Sequence, residues 1–232
     1  MHRLTHFRLC PFSRSIRLLM AELKLETELH EEQPWNPSRD FLALNPAGDL
    51  PVLELDAGPV IAGAYAISEY LAETVDNHLY ERSDAPIIPG NRIERAEIRR
   101  LIDWFHRKLF GEATSHLLEE RVYGALRHSR SAGPDVELLK VVRQNLRYHL
   151  SYMSFLVEQR NWLGGEHMSF VDLAAAAHLS VADYLGEIAW DERQAVKSWY
   201  ARMKSRPSLR AILAERVPGA PMPPSHYADP DF

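Results

Sequence analysis

Apolar positions along this 232-residue chain follow two rhythms, one before residue 82 and another after residue 90. In the first stretch strand and helix periods alternate. Residues 2–9 and the alternation around Glu28 to Glu32 predict short strands, while Ile16, Leu19, Met20 and Leu23 between them recur at helical spacing. After a loop marked by Pro34 and Pro37, Phe41, Leu42 and Leu44 predict a short helix. Leu50 to Leu55 and Val60-Ile61 then flank a turn at Asp56-Ala57-Gly58-Pro59, which predicts a hairpin. Ala64 to Thr74, with Ile67, Tyr70 and Leu71 on one face, predicts a helix packed on the sheet. The order is β-α-β-α-β-β-α over residues 1–82.

Pro86 to Gly90 reads as a linker, and the chain from 90 to 215 carries helical periods only. Ile98, Leu101, Ile102, Phe105 and Leu109 form one apolar stripe, and Leu139, Val142, Leu146, Met153 and Val157 form a second. Gly124 to Pro134, rich in Arg and Ser, reads as the loop between them. Ser169-Phe170-Val171-Asp172 has capping-box spacing, with Met168 and Leu173 placed as a hydrophobic staple, and predicts a buried Ala-rich helix over Leu173 to Leu185. Trp199 and Met203 mark a last helix, broken at Pro207. Residues 216–232 hold five prolines and read as a non-helical tail, either exposed or docked back on its own domain.

Composition narrows the function classes. With 46% hydrophobic and 25% charged residues the chain is an ordinary globular protein, and its formal net charge of −5 gives no global attraction to nucleic acid or anionic membrane. No apolar run is long enough to insert in a membrane, and no secretory leader pattern opens the chain, so a cytoplasmic location is expected. Cys10 is the only cysteine, which excludes an internal disulfide and a Cys-x-x-Cys pair. The eleven histidines show no His-x-x-x-His pair and no carboxylate cluster at ligand spacing, so no metal is expected. Arg92, Arg95, Arg99, Arg100, Arg107 and Lys108 are interleaved with Glu94, Glu97 and Asp103, the pattern of a salt-bridged solvent face or of a docking surface for an acidic partner. Trp104 lies off its helix's apolar stripe, toward an interdomain cleft or a second subunit.

Four segments in order resemble the glutathione S-transferase superfamily: Asn45-Pro46-Ala47-Gly48-Asp49-Leu50-Pro51-Val52-Leu53, Ala66-Ile67-x-x-Tyr70-Leu71, Ser169-Phe170-Val171-Asp172 and Arg206-Pro207-Ser208. The resemblance spans roughly residues 2–215. It implies a glutathione S-transferase fold, with a thioredoxin-like N-terminal domain at 1–82, an all-helical domain at 90–215 and the tail beyond. It also implies a cis bond at Pro51, with the backbone next to Leu50 and Pro51 facing an extended peptide such as glutathione, and pairing of subunits into a homodimer.

Relatives that use glutathione carry an acid and a serine where this chain has Gly63 and Ala64. Those groups hold the γ-glutamyl ammonium and carboxylate at a helix N-terminus. Without them a bound glutathione would leave charges desolvated, at about 1–3 kcal/mol each, so the site is expected to be degenerate and no cofactor is expected. Cys10-Pro11-Phe12-Ser13 resembles the active-site start of cysteine- or serine-type members, in which Cys10 would be a nucleophile or Ser13 would orient a thiolate; Ser13 as an ordinary N-cap and Cys10 as an inert hydrophobe are the plainer readings. The whole chain, including its ending, further resembles transferase-like bacterial cell-division proteins that bind the tubulin-like GTPase FtsZ. That likeness implies an FtsZ polymer as partner and the division site as location. Arg95, Arg99 and Arg107, with Tyr227 and Phe232 on the tail, are the candidate contacts. Two readings stay open: a non-catalytic scaffold, which Gly63 and Ala64 favour, and a glutathione-dependent transferase or thiol reductase.

Overall fold

The computed structural model describes residues 1–56, 58–74, 86–127 and 133–232. Its first part is a four-stranded sheet of order β2-β1-β3-β4. Strand β1 (His2–His6) pairs parallel with β2 (Thr27–Glu31) and antiparallel with β3 (Val52–Glu54), which pairs antiparallel with β4 (Val60–Ala62). The β1–β2 crossover is α1 (Pro11–Glu22), and the short α2 (Arg39–Leu44) precedes β3. Ser38 caps α2, its hydroxyl accepting from Phe41 N–H. Helix α3 (Ala64–Thr74) packs on α1 through Ile67 and Leu71, which are buried with Leu4, Val52 and Leu53. The Leu50–Pro51 peptide bond is cis.

Two expected boundaries move. Helix α1 starts at Pro11 with Cys10 as its N-cap, so Ser13 is inside the helix and is not the cap. Proline lacks the amide hydrogen that the first helical position leaves unpaired anyway, which lets the helix begin that early. Ile87 and Ile88 of the expected linker are buried, and Ile87 accepts from Phe170 N–H at 2.9 Å, so this segment packs into the helical half.

The second part opens with α4 (Arg92–Asp103), started by a capping box between Asn91 and Glu94. It runs on without a break through π-helical turns Trp104–Thr114, α5 (Ser115–Leu118), further π turns Glu119–Tyr123 and α6 (Gly124–Leu126). Residues Gly124 to Leu126 are therefore helical, not loop; most of the remainder of that expected loop lies outside the described residues. Helix α7 (Val136–Gln159) follows and buries Leu139, Val142, Leu146 and Met153. All 15 residues of α8 (Phe170–Tyr184) are buried, and both hydrogen bonds of the Ser169–Asp172 capping box are present. Helix α9 (Gln194–Lys204) comes next, and Pro207 opens α10 (Pro207–Leu213) in addition to ending its predecessor. Among the described residues no helix is long and apolar enough to cross a membrane.

The two parts meet where α1 packs on α8. Ion pairs fasten the seam: Arg206 with Glu22 at 2.6 Å, Arg99 with Glu69 at 2.8 Å, and Arg17 with Glu215. The tail lies on the body. Tyr227 is 1% exposed, in contact with Tyr184, and Phe232 stands edge-on to Trp190 at 5.0 Å. Of the two expectations for the tail, exposed or docked on its own domain, the second holds for Tyr227 and Phe232, whose rings bury apolar surface, and a 3₁₀ turn at Ser225–Ala228 corrects the expectation of a tail without helix.

Candidate functional site

The elements that would hold a peptide ligand converge at the start of α1. Cys10 and Phe12 stand there, Pro51 precedes β3, and Gly63 leads into α3, its N–H donating to Pro51 O at 2.9 Å. Gly63 has φ +88°, a conformation open to glycine at little cost. A Cβ added there would meet nothing within 4 Å, so room remains for a side chain and only the backbone conformation resists one. Ala64, at the first turn of α3, is buried and presents a methyl group where a hydroxyl would receive a carboxylate. Leu50 is buried as well. The structure thus brings Leu50, Pro51, Gly63, Ala64 and Cys10 to one end of the sheet, with apolar side chains in most of those places.

Cys10 does not have the setting of an activated nucleophile. It is 7% exposed, and burial pushes its thiol above the usual value, against smaller opposing contributions from hydrogen bonds to Ser13 and the backbone at Phe12. A thiol in that state carries little thiolate at neutral pH. The Ser13 hydroxyl is fully buried and accepts from Phe7 N–H at 3.3 Å. The helix N-terminus is in place, but burial outweighs its dipole.

Aromatic rings close over this end. Phe7 meets Trp35 edge-on at 5.1 Å, and Tyr123 from the helical half lies 5.3 Å from Trp35 and 5.9 Å from Phe7. Phe12 is sandwiched among His106 at 5.0 Å, Phe110 at 4.6 Å and His178 at 5.6 Å. The π turns carry His106 and Phe110, and Ser115 N–H there bonds Phe110 O five residues back. His106 Nδ1 is 3.2 Å from His178 Nε2, whose ring in turn meets the Thr114 hydroxyl. Burial drops the His106 pKa to about 4 and holds His178 well below the imidazole range, so both rings are neutral at physiological pH. Among the described residues no group of three His, Cys, Asp or Glu side chains could hold a metal.

The candidate partner contacts are dispersed. Arg95 is exposed, and Arg107 is 74% exposed while pairing with Asp103 one turn back. Arg99 is not free for docking: its guanidinium makes a two-pronged bond to Glu69 across the domain seam. Tyr227, expected to be an exposed anchor, is buried, with its hydroxyl on Arg14 at 3.1 Å; Phe232 covers Lys204, Trp190 and Tyr200. Trp104 donates to His149 Nδ1 at 3.0 Å and lies beside Tyr152, Tyr148 and Lys108 on the outside of the bundle.

Sequence reasoning missed a buried polar chamber beneath the tail. Arg14, fully buried, donates to Arg8 O at 2.6 Å, Ser180 Oγ at 2.7 Å and Tyr227 Oη. Asp183 accepts from Trp190 Nε1 at 2.8 Å, contacts His226 Nε2 at 2.9 Å and pairs with Lys204 at 3.3 Å. Lys204 is fully buried; its ammonium donates to the carbonyl oxygens of His226 and Asp229 and sits 3.5 Å from the centre of the Phe232 ring. The available signal was Ser180 and Asp183, polar residues three apart on an Ala-rich, fully buried helix that also carries Asp172 and His178.

Comparison with known proteins places this architecture. Residues 9–74 match the glutathione S-transferase N-terminal domain and residues 123–207 the glutathione S-transferase C-terminal domain. The chain is 41% identical over 232 residues to "FtsZ-localized protein A" of Caulobacter vibrioides, covering 99% of this chain and 97% of that one. A solved structure of FzlA from C. crescentus superposes with a TM-score of 0.90 over 100% of this chain and 99% of that one. A crystal structure of a glutathione S-transferase from Sinorhizobium meliloti superposes at 0.93, with 46% identity and full coverage of both chains. Glutathione S-transferase 2 of Saccharomyces cerevisiae is 28% identical over 89% of this chain and 87% of its own length.

Proposed function

The chain belongs to the glutathione S-transferase superfamily, and from that premise we propose that it is a non-catalytic scaffold that binds the tubulin-like GTPase FtsZ and regulates its filaments in bacterial cell division. The observation that carries this reading is the 41% identity along essentially the whole chain, tail included, to a protein named for its localisation with FtsZ. The site geometry supports it: the two polar groups that would hold glutathione are absent at Gly63 and Ala64, and the Cys10 thiol is buried in its protonated form.

The scaffold acts as a homodimer in the cytoplasm, at the division site. A two-fold dimer carries each docking surface twice, so on a filament of identical subunits the second contact is intramolecular, and avidity exceeds single-site affinity by about 100-fold or more. Weak individual contacts then suffice. With Arg99 and Tyr227 engaged internally, the exposed Arg95 and Arg107 remain as contacts for an acidic partner surface. Co-sedimentation with GTP-assembled FtsZ tests the reading: the full chain is expected to pellet with polymer, and an obligate monomer to pellet much less. Failure of the full chain to pellet above background rejects the partner, and undiminished pelleting of the monomer rejects the avidity argument.

A second reading, a glutathione-dependent transferase or thiol reductase using Cys10 or Ser13, draws on the similarity to the S. meliloti and yeast transferases. It requires a glutathione affinity that the first reading does not. Titration calorimetry separates them, with millimolar or weaker binding expected for the scaffold, equivalent to about 4 kcal/mol or less.

A further inference from the structure

A cavity of about 300 Å³ opens in the helical half, bounded by the π turns at Glu119–Tyr123, by α7 and by the segment after α8. Its volume is at the lower end of ligand pockets, which span roughly 300–1,000 Å³. Four guanidiniums, from Arg121, Arg143, Arg147 and Arg193, line it against the two carboxylates of Glu187 and Glu192. The excess is two positive charges, in a chain whose formal net charge is −5. Such a concentration of one sign in a low-dielectric recess focuses the field on an anion.

The guanidiniums are not equivalent. Glu187, whose side chain is 2% exposed, clamps two of them: it accepts from Arg121 Nη2 at 2.6 Å and from Arg143 Nε at 2.6 Å. That clamp engages Arg121 through Nη2 and leaves the Nη1 hydrogens of its partly exposed guanidinium for a ligand. Arg147 lies 3.7 Å from Glu192, too far for a good hydrogen bond, and Arg193 donates to Glu192 O and Ser151 Oγ. A guanidinium has five N–H donors, so Arg121, Arg147 and Arg193 all retain some for a ligand. The remaining wall is apolar, formed by half-buried Leu185 and by the edges of the nearly buried Leu146 and Leu150.

We propose that this cavity binds a small amphipathic organic anion, its carboxylate held by Arg121, Arg147 and Arg193 and its short hydrocarbon body lying on Leu146, Leu150 and Leu185. The cationic rim selects the charge, and the leucine wall selects against bare inorganic anions. The volume suits a small molecule better than a folded surface or an extended chain. This site is in the helical half, separate from the glutathione-type elements around Pro51, and it holds whether or not the chain acts on FtsZ.

The test is an NMR titration of the full-length protein with hexanoate as the probe, beside its neutral amide and sulfate. Hexanoate is expected to shift resonances around Leu146, Leu150 and Leu185 with low-millimolar or tighter affinity, about tenfold tighter than hexanamide or sulfate. Arg147→Gln and Arg193→Gln, made singly in partly exposed side chains so that the fold is kept, are each expected to weaken hexanoate about tenfold at an unchanged melting temperature. Hexanamide binding as tightly overturns the charge recognition, and sulfate binding as tightly overturns the apolar wall. Shifts centred elsewhere, or unchanged affinity in both variants, overturn the site.

Discussion

Helix α1 passes through two environments within little more than one turn. At its start, Cys10 and Phe12 enter a region of rings and methyl groups, where Ala64 stands in place of a hydroxyl and both imidazoles are neutral. At Arg14 the same helix enters a chamber of charged and hydroxyl groups shared with Ser180, Tyr227, Asp183 and Lys204. The fold family places its ligand in the first region. In this chain Gly63 and Ala64 bring no polar side chain to that region, while the second region uses polar groups to fasten a tail to the body. Buried polar groups are costly to leave unpaired, and Arg14, Lys204 and Asp183 Oδ1 each have partners here, so their location marks a contact that the molecule holds closed. Here that contact is between the tail and the two domains, not between protein and peptide ligand.

The largest expected effect breaks the second region. Asp183→Ala removes the carboxylate partner of Lys204 and should lower the unfolding free energy by about 3–5 kcal/mol, because a buried ammonium is left uncompensated. Chemical denaturation followed by circular dichroism reads the loss. The paired Asp183→Leu, Lys204→Met variant should regain most of it, since removing both charges leaves neither stranded. If the single variant costs less than about 1 kcal/mol, the chamber is not the fastening that its geometry implies.

Acid addresses the first region. The folded pKa of His106 is about 4 against 6.5 when unfolded, because burial disfavours the charged ring. Below pH 6.5 the unfolded chain therefore takes up the proton first. The stabilising contribution is full above pH 6.5 and is lost as pH falls through 4, by up to about 3 kcal/mol. His6, also lowered to about 4 chiefly by burial and then by Arg17, acts in the same direction. Asp172 opposes them: burial raises its carboxyl to about 6 from 3.8, so its protonation favours the fold as pH falls through that window. Comparing wild type with His106→Asn from pH 7 to pH 4 isolates one contribution, and the wild type should lose more stability over that range. Parallel curves would show that the ring is solvated in the folded state.

Two smaller effects sharpen the contrast. Gly63→Glu with Ala64→Ser should tighten glutathione binding about tenfold by calorimetry. The change at Gly63 should also cost about 1 kcal/mol of stability, because it holds φ +88°. No gain in affinity would mean that the aromatic closure, not the missing polar groups, excludes the peptide. Smallest of all, Cys10→Ala should change stability by about 1 kcal/mol or less and leave FtsZ co-sedimentation unchanged, since alanine keeps the small buried Cβ and loses only a weakly bonding thiol. Loss of polymer binding with the fold intact would return the thiol to the centre of the function.

Much of the architecture was legible along the chain. Local rules set the order of strands and helices in the first part, the Ala64–Thr74 helix and the Ser169–Asp172 cap, because periodicity and capping depend on neighbours only a few residues away. The end of the long helix past Gly124 was not legible: a glycine and polar neighbours read as loop, while packing of Leu117, Leu118 and Val122 carries the helix onward. Gly63 and Ala64 were legible directly as positions without a polar side chain; the glutathione titration tests what that means for the site.

The sequence by itself therefore determined most of the elements, the family and the absence of polar side chains at positions 63 and 64. Only the tertiary structure decided that the Pro-rich tail lies on the body, that Tyr227 is an internal anchor, and that Arg121, Arg143, Arg147 and Arg193 share one cavity. The physical reason is range. Helix periods and caps are written within one or two turns of chain, whereas Arg14 and Tyr227 are 213 residues apart, and their contact exists only after hydrophobic burial has brought α1, α8 and the tail together.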